Sequence, residues 1–397
     1  MMLKYCDPMI YEKTETSPIN SMNTVSIKRI TDEEFSAMQD GWNELLERSA
    51  TNEVFLSWEW MFSWWSAFKD DGKKLFILAG KDSRGNLVGI APFYIERRAY
   101  FGVKNQNIVG FCSSFDTAPD HLDILCDKEF SHHFPSMVFT YLQKHNAEWD
   151  EIRFEGIKDN SVIKNYLMQN RERLHHLIIE CDPQSGCPYL SINQSFEEYL
   201  NSFSRKTRNT LSRKKRLLLE KEQYEYRIVS SNALDLEKNM RELFSLHAER
   251  AKRKNFATAF GGEKVYRFHE GLIAYLLKED KIVISSLSKG SVSLTFYYCI
   301  KHNNKYYYYQ TGISERGEEK SAGTVLLSLM IERAFKEGCT EFDFLRGDEK
   351  YKYFWTNNTR FNFSMYLRKN SLLNRIAHHL SRSFIKPGKR MIKKCIR

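Results

Sequence analysis

The chain has 397 residues, of which 42% are hydrophobic and 28% are charged. This length predicts two domains of ordinary size, and this composition excludes a largely disordered protein. The formal net charge of +10 favours anionic partners such as phosphates, nucleic acid or an anionic membrane surface.

The eight cysteines are scattered along the chain, with no C-x-x-C pair and no clustered histidines. This pattern predicts neither a disulfide framework nor a zinc site, and we expect no metal. The sequence shows no signal peptide and no apolar run of membrane-spanning length. We therefore expect a cytoplasmic protein, either free or peripheral at the inner membrane face.

The first segments combine a polar leader with aromatic helices. Residues 1–24 are polar and aperiodic, which predicts a flexible leader. A strand over residues 25–30 and a helix that begins with the capping-box pattern Thr31-Asp-Glu-Glu34 follow. Residues 55–68 predict a further helix with aromatic side chains almost all round. Such a helix is buried between layers or lies against a ligand, and Trp60 is its candidate substrate contact.

Strands are predicted over residues 75–79 and 87–95, joined by a hairpin turn, and again over Asp120-His-Leu-Asp-Ile-Leu125. Two close carboxylates can work as acid and base, which makes Asp120 and Asp123 candidates and Asp120 a candidate substrate contact. The alternative is that one carboxylate is solvated and the other pairs with a lysine.

A weak internal repeat divides the chain. Glu151-Ile-Arg-Phe154 and Glu341-Phe-Asp-Phe344 each follow a predicted helix, and each precedes a glycine. The segment Cys181-Asp-Pro-Gln-Ser-Gly-Cys-Pro188 is rich in turn formers and predicts the boundary between the two copies. We therefore expect domains over residues 25–183 and 184–369.

The densest basic run is Ser204-Arg-Lys-Thr-Arg-Asn-Thr-Leu-Ser-Arg-Lys-Lys-Arg216, which predicts a helix. Arg205 and Arg208 are three residues apart and share one face of that helix. Guanidinium groups suit bidentate contacts with phosphate, so this face is predicted to bind phosphate. A solvated helix neutralised by nearby glutamates is the alternative.

Residues 281–287, 292–300 and 306–311 predict an antiparallel meander. Alternate tyrosines of Tyr306-Tyr-Tyr-Tyr-Gln310 must face opposite sides of its last strand, so one pair can pack while the other lines a cleft. Tyr309 and Gln310 are the candidate substrate contacts. A helix over residues 324–336, stopped by Gly338, follows.

The last motif is Asp343-Phe-Leu-Arg-Gly-Asp-Glu-Lys-Tyr-Lys-Tyr-Phe-Trp355, a strand end followed by a polar loop. Its charged groups and phenol suit proton transfer or stabilisation of an oxyanion. A polar turn with an aromatic anchor is the alternative. The predicted roles are base for Asp343 or Asp348, acid for Tyr351, oxyanion or phosphate contact for Lys352, and substrate contact for Arg346.

This motif resembles the C-terminal signature D-F-x-x-G-(D/E)-x-x-Y-K-x-x-W of the CelD-like acetyltransferases. That family is a branch of the GNAT superfamily related to the FemABX aminoacyl transferases. The pattern F-x-S-x-x-W at residues 55–60 is similar to a helix of the family, and residues 120–124 are similar to its D-Y-x-D-L segment, with His121 in place of Tyr. The resemblance spans residues 25–369 and implies an α/β fold of tandem GNAT-like domains with mixed central sheets.

The resemblance also implies an activity. It implies transfer of an acyl group, with acetyl expected, from acetyl-CoA or another acyl-CoA to an amine or hydroxyl of an envelope or exopolysaccharide precursor. In this superfamily a loop holds the pyrophosphate of coenzyme A on a helix N-terminus, and residues Ser321, Ala322, Gly323 and Thr324 occupy that place here. The alternatives are a FemABX-like transfer from aminoacyl-tRNA and a non-enzymatic adaptor that binds nucleic acid or membrane.

Residues 370–397 combine apolar and basic side chains without any acidic residue. This composition predicts a basic amphipathic tail. Docking on an anionic membrane surface, binding to nucleic acid and a solvated terminus all fit the pattern.

Overall fold

The computed structural model describes residues 25–370, except residues 71, 101–103, 229–232, 257 and 259. The predictions for the leader (1–24) and for the tail after residue 370 lie outside the described residues. Within the described part of the chain, no helix is long and apolar enough to cross a bilayer.

The first half of the chain contains the elements β1 (Ser26–Arg29), α1 (Asp32–Ser36), α2 (Gln39–Arg48), α3 (Trp58–Phe68), β2 (Lys73–Leu75), β3 (Leu78–Lys81), β4 (Leu87–Ala91), β5 (Phe93–Tyr100), β6 (Lys104–Phe111), β7 (Leu125–Cys126), α4 (Phe134–Lys144), β8 (Glu151–Lys158) and α5 (Val162–Gln169). The second half contains β9 (Leu177–Ser191), α6 (Phe196–Asn201), α7 (Arg205–Arg216), β10 (Glu225–Ile228), α8 (Ala233–Lys254), α9 (Glu263–Leu276), β11 (Ile282–Lys289), β12 (Val292–His302), β13 (Lys305–Ile313), α10 (Glu315–Glu319), α11 (Ala322–Lys336), β14 (Glu341–Asp343) and β15 (Thr359–Lys369).

Two predicted helix starts are confirmed by their caps. Thr31 and Glu34 form the reciprocal capping box of α1. The Ser57 side chain accepts a hydrogen bond from the backbone N–H of Trp60 and caps α3. The aromatic helix α3 is buried on almost all sides, which confirms that its apolar residues need packing partners on every face.

Eleven of the described strands form one mixed sheet in the order β10-β11-β12-β13-β14-β9-β15-β8-β6-β5-β2. Most neighbours are antiparallel, but β6 pairs with β8 and β13 pairs with β14 in parallel. In each parallel pair a helix, α4 or α11, lies between the two strands along the chain, as a parallel connection requires. The two halves therefore repeat one strand–helix–strand unit, and the predicted mixed α/β fold is confirmed.

The segment predicted as a domain boundary lies inside a strand. Residues 181–188 belong to β9, which pairs with β15 along most of its length and with β14 at its end. The ladder of β9 and β15 shifts register opposite Pro183, a kind of position where a strand tolerates proline. Because β15 also pairs with β8, the C-terminal strand completes the sheet of the first half. No linker separates the halves at this point of the described chain.

The prediction of a strand over residues 120–125 is wrong for residues 120–124. Only Leu125 belongs to a strand, and His121 has a φ of 56°, which breaks the alternation of an extended chain. Asp123 turns to the N-terminus of α5, where its carboxylate accepts hydrogen bonds from the N–H groups of Val162 and Ile163 at 2.7 and 3.1 Å. Asp120 turns elsewhere, so the two carboxylates do not form an acid–base pair.

Two hydrophobic cores lie on opposite faces of the strands β11–β13. One core joins the first half of the chain to α8 and α9 and contains Tyr307 and Tyr309. The other lies under α11 and contains Tyr306 and Tyr308. The predicted alternation of the tyrosines across β13 is confirmed, and it places Tyr308 on the α11 side.

Candidate active site

A cleft of about 790 Å³ lies on the α11 side of the second half. We call it the basic cleft. Its walls come from α7, the end of α8, β12 and β13, α10, the start of α11 and the loop that follows β14. It is lined by Lys206, Thr207, Thr210, Leu211, Lys214, Arg250, Lys254, Tyr297, Tyr308, Thr311, Ile313, Glu318, Ser321, Gly323, Thr324, Leu327, Lys350, Tyr351, Phe354 and Trp355.

The N-terminus of α11 opens into this cleft. Ser321 is its N-cap and has a left-handed backbone (φ 57°), and its side chain makes no capping hydrogen bond. The first N–H groups of a helix have no intrahelical partner, and they carry the positive end of the helix dipole. Tyr297 donates a hydrogen bond of 2.6 Å to the Gly323 carbonyl and so fixes this first turn from below. The start of α11 is therefore a place where an anion is stabilised.

Cations surround that helix start. Lys206 and Lys214 line the cleft from α7, Arg250 and Lys254 line it from α8, and Lys350 lines it from the loop after β14. Sequence reasoning found the basic run on α7 but missed the α8 pair. The sequence feature that could have revealed this pair is its spacing, because Arg250 and Lys254 are four residues apart and share one face at the basic end of a long helix.

Three tyrosines form the floor of the basic cleft. The rings of Tyr297 and Tyr308 lie 4.8 Å apart, and those of Tyr308 and Tyr351 lie 6.5 Å apart. Burial raises the pKa of Tyr308 to about 12. Burial of the hydroxyl, followed by the proximity of Tyr308 and Glu349, also raises the pKa of Tyr351 well above its usual value. Tyr351 therefore keeps its proton at neutral pH.

The two arginines singled out on α7 do different things. Arg205 is exposed and lines a smaller cavity of about 430 Å³ on the outer side of the helix. Arg208 is half-buried and donates hydrogen bonds to the carbonyls of Asn201 and Phe203 at 3.2 and 2.7 Å. Arg208 thus satisfies carbonyl groups at the end of α6, and neither arginine lines the basic cleft.

Most of the motif after β14 turns away from the basic cleft. The Lys352 ammonium is buried and donates hydrogen bonds to the carbonyls of Arg346 (2.6 Å) and Leu345 (3.4 Å), and it pairs with Glu349 at 3.0 Å. Asp348 is exposed and accepts a 3.4 Å hydrogen bond from Tyr353. Of the four predicted catalytic residues, only Tyr351 lines the cleft.

Asp343, the other candidate base, is fully buried at the junction of the two halves. Its carboxylate lies 2.9 Å from Nε2 of His121 and accepts a 2.8 Å hydrogen bond from the N–H of Leu345. Nδ1 of His121 lies 2.9 Å from the side-chain oxygen of Asn362. This arrangement joins the motif to the first half, and Asp343 does not line the cleft.

The other predicted substrate contacts also lie outside the cleft. Trp60 is fully buried, and its Nε1 donates to Ser113 at 2.9 Å. Asp120 is buried in an ion pair with Arg346 at 2.8 Å. Tyr309 is buried and donates to the carbonyl of Thr117 at 2.6 Å, on the side of the sheet opposite to Tyr308. Gln310 is half-buried on β13 and does not line the cleft.

The His121–Asp343 pair predicts a pH dependence of stability. Burial opposes the charge of His121, but Asp343 outweighs it, with help from Glu53 and Asp120, and raises the pKa of His121 above 6.5. A raised pKa means that the pair stabilises the fold fully below pH 6.5, and that this contribution is lost as the pH rises through the folded-state pKa. We therefore expect the free energy of unfolding, measured with urea, to fall as the pH rises above 6.5.

The control for this measurement is His121→Asn, which should lack the decline that begins at pH 6.5. The buried cysteines, whose pKa values burial raises, add a further decline in both proteins only at higher pH, near the pKa of a free thiol. The buried residues His247, His269 and His302 do not interfere, because burial lowers their pKa values to about 4, 3 and 4 and they titrate on the acid side. Asp343, whose pKa is lowered chiefly by His121 against the opposing effect of burial, also acts only at acid pH. A flat profile in the wild-type protein would contradict the ion pair.

The side chains of the basic cleft fit a donor that carries a diphosphate. The helix start offers N–H groups, five cations surround it, and one carboxylate, Glu318, is the acidic side chain among the described residues that line the cleft. A methyl group in place of the Gly323 hydrogen would lie 3.3 Å from the Tyr297 hydroxyl, so glycine keeps the approach to the helix start open. Aromatic and aliphatic side chains below this region suit the apolar arm of such a donor.

Comparison with known proteins matches the part of the chain that contains most of the basic cleft. Residues 205–353 match the model of the family described as acetyltransferase (GNAT) domain. No curated protein matches the chain significantly.

Among solved structures, FemX shares 13% identity over 86% of this chain and 96% of its own, with a TM-score of 0.54. L-PGS from Bacillus licheniformis shares 12% identity over 86% of this chain and 95% of its own, with a TM-score of 0.50. These likenesses concern the fold. The match over residues 205–353 is to a GNAT acetyltransferase domain, and this domain marks the protein as a transferase of acyl groups.

Proposed function

We propose that this enzyme transfers an acyl group from an acyl-CoA, with acetyl-CoA as the expected donor, to an amine or hydroxyl of an envelope or exopolysaccharide precursor. The observation that carries the donor is the open N-terminus of α11 inside a cleft lined by five cations. The acceptor class rests on the resemblance of residues 343–355 to the CelD-like signature.

The residues of the basic cleft have separate roles in this proposal. The N–H groups at the start of α11 and the lysines of α7 would hold the diphosphate, and the thioester would supply the activated acyl group. Tyr297 fixes the first turn of α11 through the Gly323 carbonyl. Tyr351 lines the cleft beside Tyr308, and its phenol is placed to give a proton to the leaving thiolate.

Binding of coenzyme A tests the donor. We expect coenzyme A to raise the melting temperature in proportion to its occupancy, because a ligand that binds only the folded state stabilises it. Pantetheine, which lacks the diphosphate, should give no shift at the same concentration. Lys206→Glu/Lys214→Glu should abolish the shift, whereas reversal of an exposed lysine outside the cleft, Lys252→Glu, should preserve it. Absence of a shift at millimolar coenzyme A would contradict this donor.

A second donor is favoured by one observation. The cations of α7 continue past the cleft, where the exposed Arg205 and Arg213 line the outer cavity. The outer cavity adjoins the basic cleft, since both are lined by Lys206 and Thr210, and a polyanion longer than a diphosphate would contact both. Aminoacyl-tRNA is therefore the second candidate donor. It gains support if coenzyme A fails and if aminoacyl-tRNA is consumed in a reaction that Arg205→Ala/Arg213→Ala slows.

A further inference from the structure

The edge of the basic cleft that faces α8 contains a charge cluster that a diphosphate alone does not use. Glu318 lies 3.1 Å from Nε of Arg250, 3.5 Å from Nζ of Lys254 and 3.8 Å from a terminal nitrogen of Arg253. One carboxylate thus faces three cations, and these four side chains are between 25% and 56% exposed. The cluster has a surplus of positive charge beside the anion site of α11.

The position of this cluster is fixed by the backbone. Ser321 donates a 3.0 Å hydrogen bond to the Glu318 carbonyl, so Glu318 is one short turn before the start of α11. The short helix α10 that carries it is held against β12. Ser314 caps it through the N–H of Gly317, and Ser314 also donates to the Leu294 carbonyl at 3.0 Å. A side chain at Gly317 would come within 2.3 Å of that same carbonyl, so only glycine permits this packing.

We propose that Arg250, Arg253 and Lys254 form a second phosphate subsite, specific for a phosphate monoester carried on the same nucleotide as the diphosphate, and that Glu318 holds the subsite in shape until the donor binds. The proposal rests on the proposed function, since it names a further part of the same donor. The carboxylate of Glu318 occupies the position of an anion among the three cations. A doubly charged phosphate would pair more strongly with the two guanidinium groups than a single carboxylate does.

This arrangement makes Glu318 a residue that determines donor specificity. A donor with the monoester displaces the Glu318 carboxylate and gains the three cations. A donor without the monoester leaves the three cations paired with Glu318, and this edge of the cleft then contributes nothing to its binding. The enzyme should therefore distinguish coenzyme A from dephospho-coenzyme A, which differ only in the phosphate monoester on the ribose.

Calorimetric titration of the full-length protein with both ligands tests the proposal. We expect the wild-type protein to bind coenzyme A about tenfold more tightly than dephospho-coenzyme A. Arg250→Gln should remove this difference, and Lys254→Gln, at a more exposed position that is tolerant of change, should reduce it. Glu318→Gln should widen it, because the cations then lack their internal anion and the monoester meets no like charge.

The matched control is Glu319→Gln, which removes one negative charge from an exposed position of the same short helix and should leave the ratio of the two dissociation constants unchanged. Equal binding of the two ligands by the wild-type protein would overturn the subsite while leaving the proposed donor intact. A Glu318→Gln ratio equal to that of Glu319→Gln would overturn the role of Glu318. If neither ligand binds, the proposed function itself fails, and the subsite fails with it.

Discussion

Replacement of Tyr351 by phenylalanine is expected to lower kcat about a hundredfold, in the range found when one general acid is removed. The residue is the one member of the motif over residues 343–355 that combines a phenol with a position on the cleft. The substitution keeps the ring and removes only the hydroxyl that faces Tyr308. KM for the donor and the melting temperature should change little, since the ring still packs against its neighbours.

Tyr353→Phe is the matched control for this experiment. Tyr353 belongs to the same loop and has the same exposed fraction as Tyr351, 38%, but its hydroxyl contacts Asp348 and it does not line the cleft. We expect the kcat of this variant to match the wild-type value. If the Tyr351→Phe enzyme kept full kcat, Tyr351 would have no part in proton transfer, and solvent at the open end of the cleft would be the proton donor instead.

The local elements of this fold were accessible from sequence because short-range chemistry determines them. The capping box at Thr31 is present in the structure. The meander over β11–β13 and the helix α11 lie where periodicity and turn residues predict them. The resemblance also implies a pyrophosphate loop at residues 321–324, and three of these residues, Ser321, Gly323 and Thr324, line the basic cleft at the start of α11.

The walls of the basic cleft depend on contacts between distant segments, and sequence spacing does not reveal those. Arg250 and Lys254 reach the start of α11 only because α8 packs closely on β13, where the bare Cα of Gly312 meets the carbonyl of Leu243. Arg208 looked like a phosphate ligand, but it is drawn to the unpaired carbonyls at the end of α6. A basic residue in a sequence does not show which of these two tasks it performs.

The motif over residues 343–355 illustrates the same limit. Its composition suggested several catalytic groups, but only the neighbours in space decide which side chains face inward. Asp343 is buried at the junction between the halves, where it pairs with His121, and Asn362 contacts the other ring nitrogen of His121. Lys352 is buried because backbone carbonyls accept hydrogen bonds from its ammonium group. The strand β9 was missed because its prolines and glycine resemble a turn, and a register shift opposite them is visible only once β15 is paired.

The second large effect is expected from Asp343→Asn, which should lower the free energy of unfolding by about 3–5 kcal/mol, as when one partner of a buried ion pair is removed. Asp343 and His121 are both fully buried, and the carboxylate also faces the Arg360 guanidinium at 3.9 Å. The variant keeps the size of the side chain but leaves His121 without its carboxylate partner, while Arg360 keeps its ion pair with Glu341. Because His121 then loses its main anionic partner, the decline in stability that begins at pH 6.5 should become smaller as well.

Asp348→Asn separates this structural role from a general effect of lost charge in the motif. Asp348 is exposed and has a 3.4 Å contact with the Tyr353 hydroxyl, so its replacement should change the free energy of unfolding by no more than about 0.5 kcal/mol. Urea unfolding of both variants at pH 6 and pH 9 makes the comparison. If Asp343→Asn matched Asp348→Asn at pH 6, the buried pair would not hold the two halves together. The carboxylate of Asp343 would then be open again to a part in catalysis.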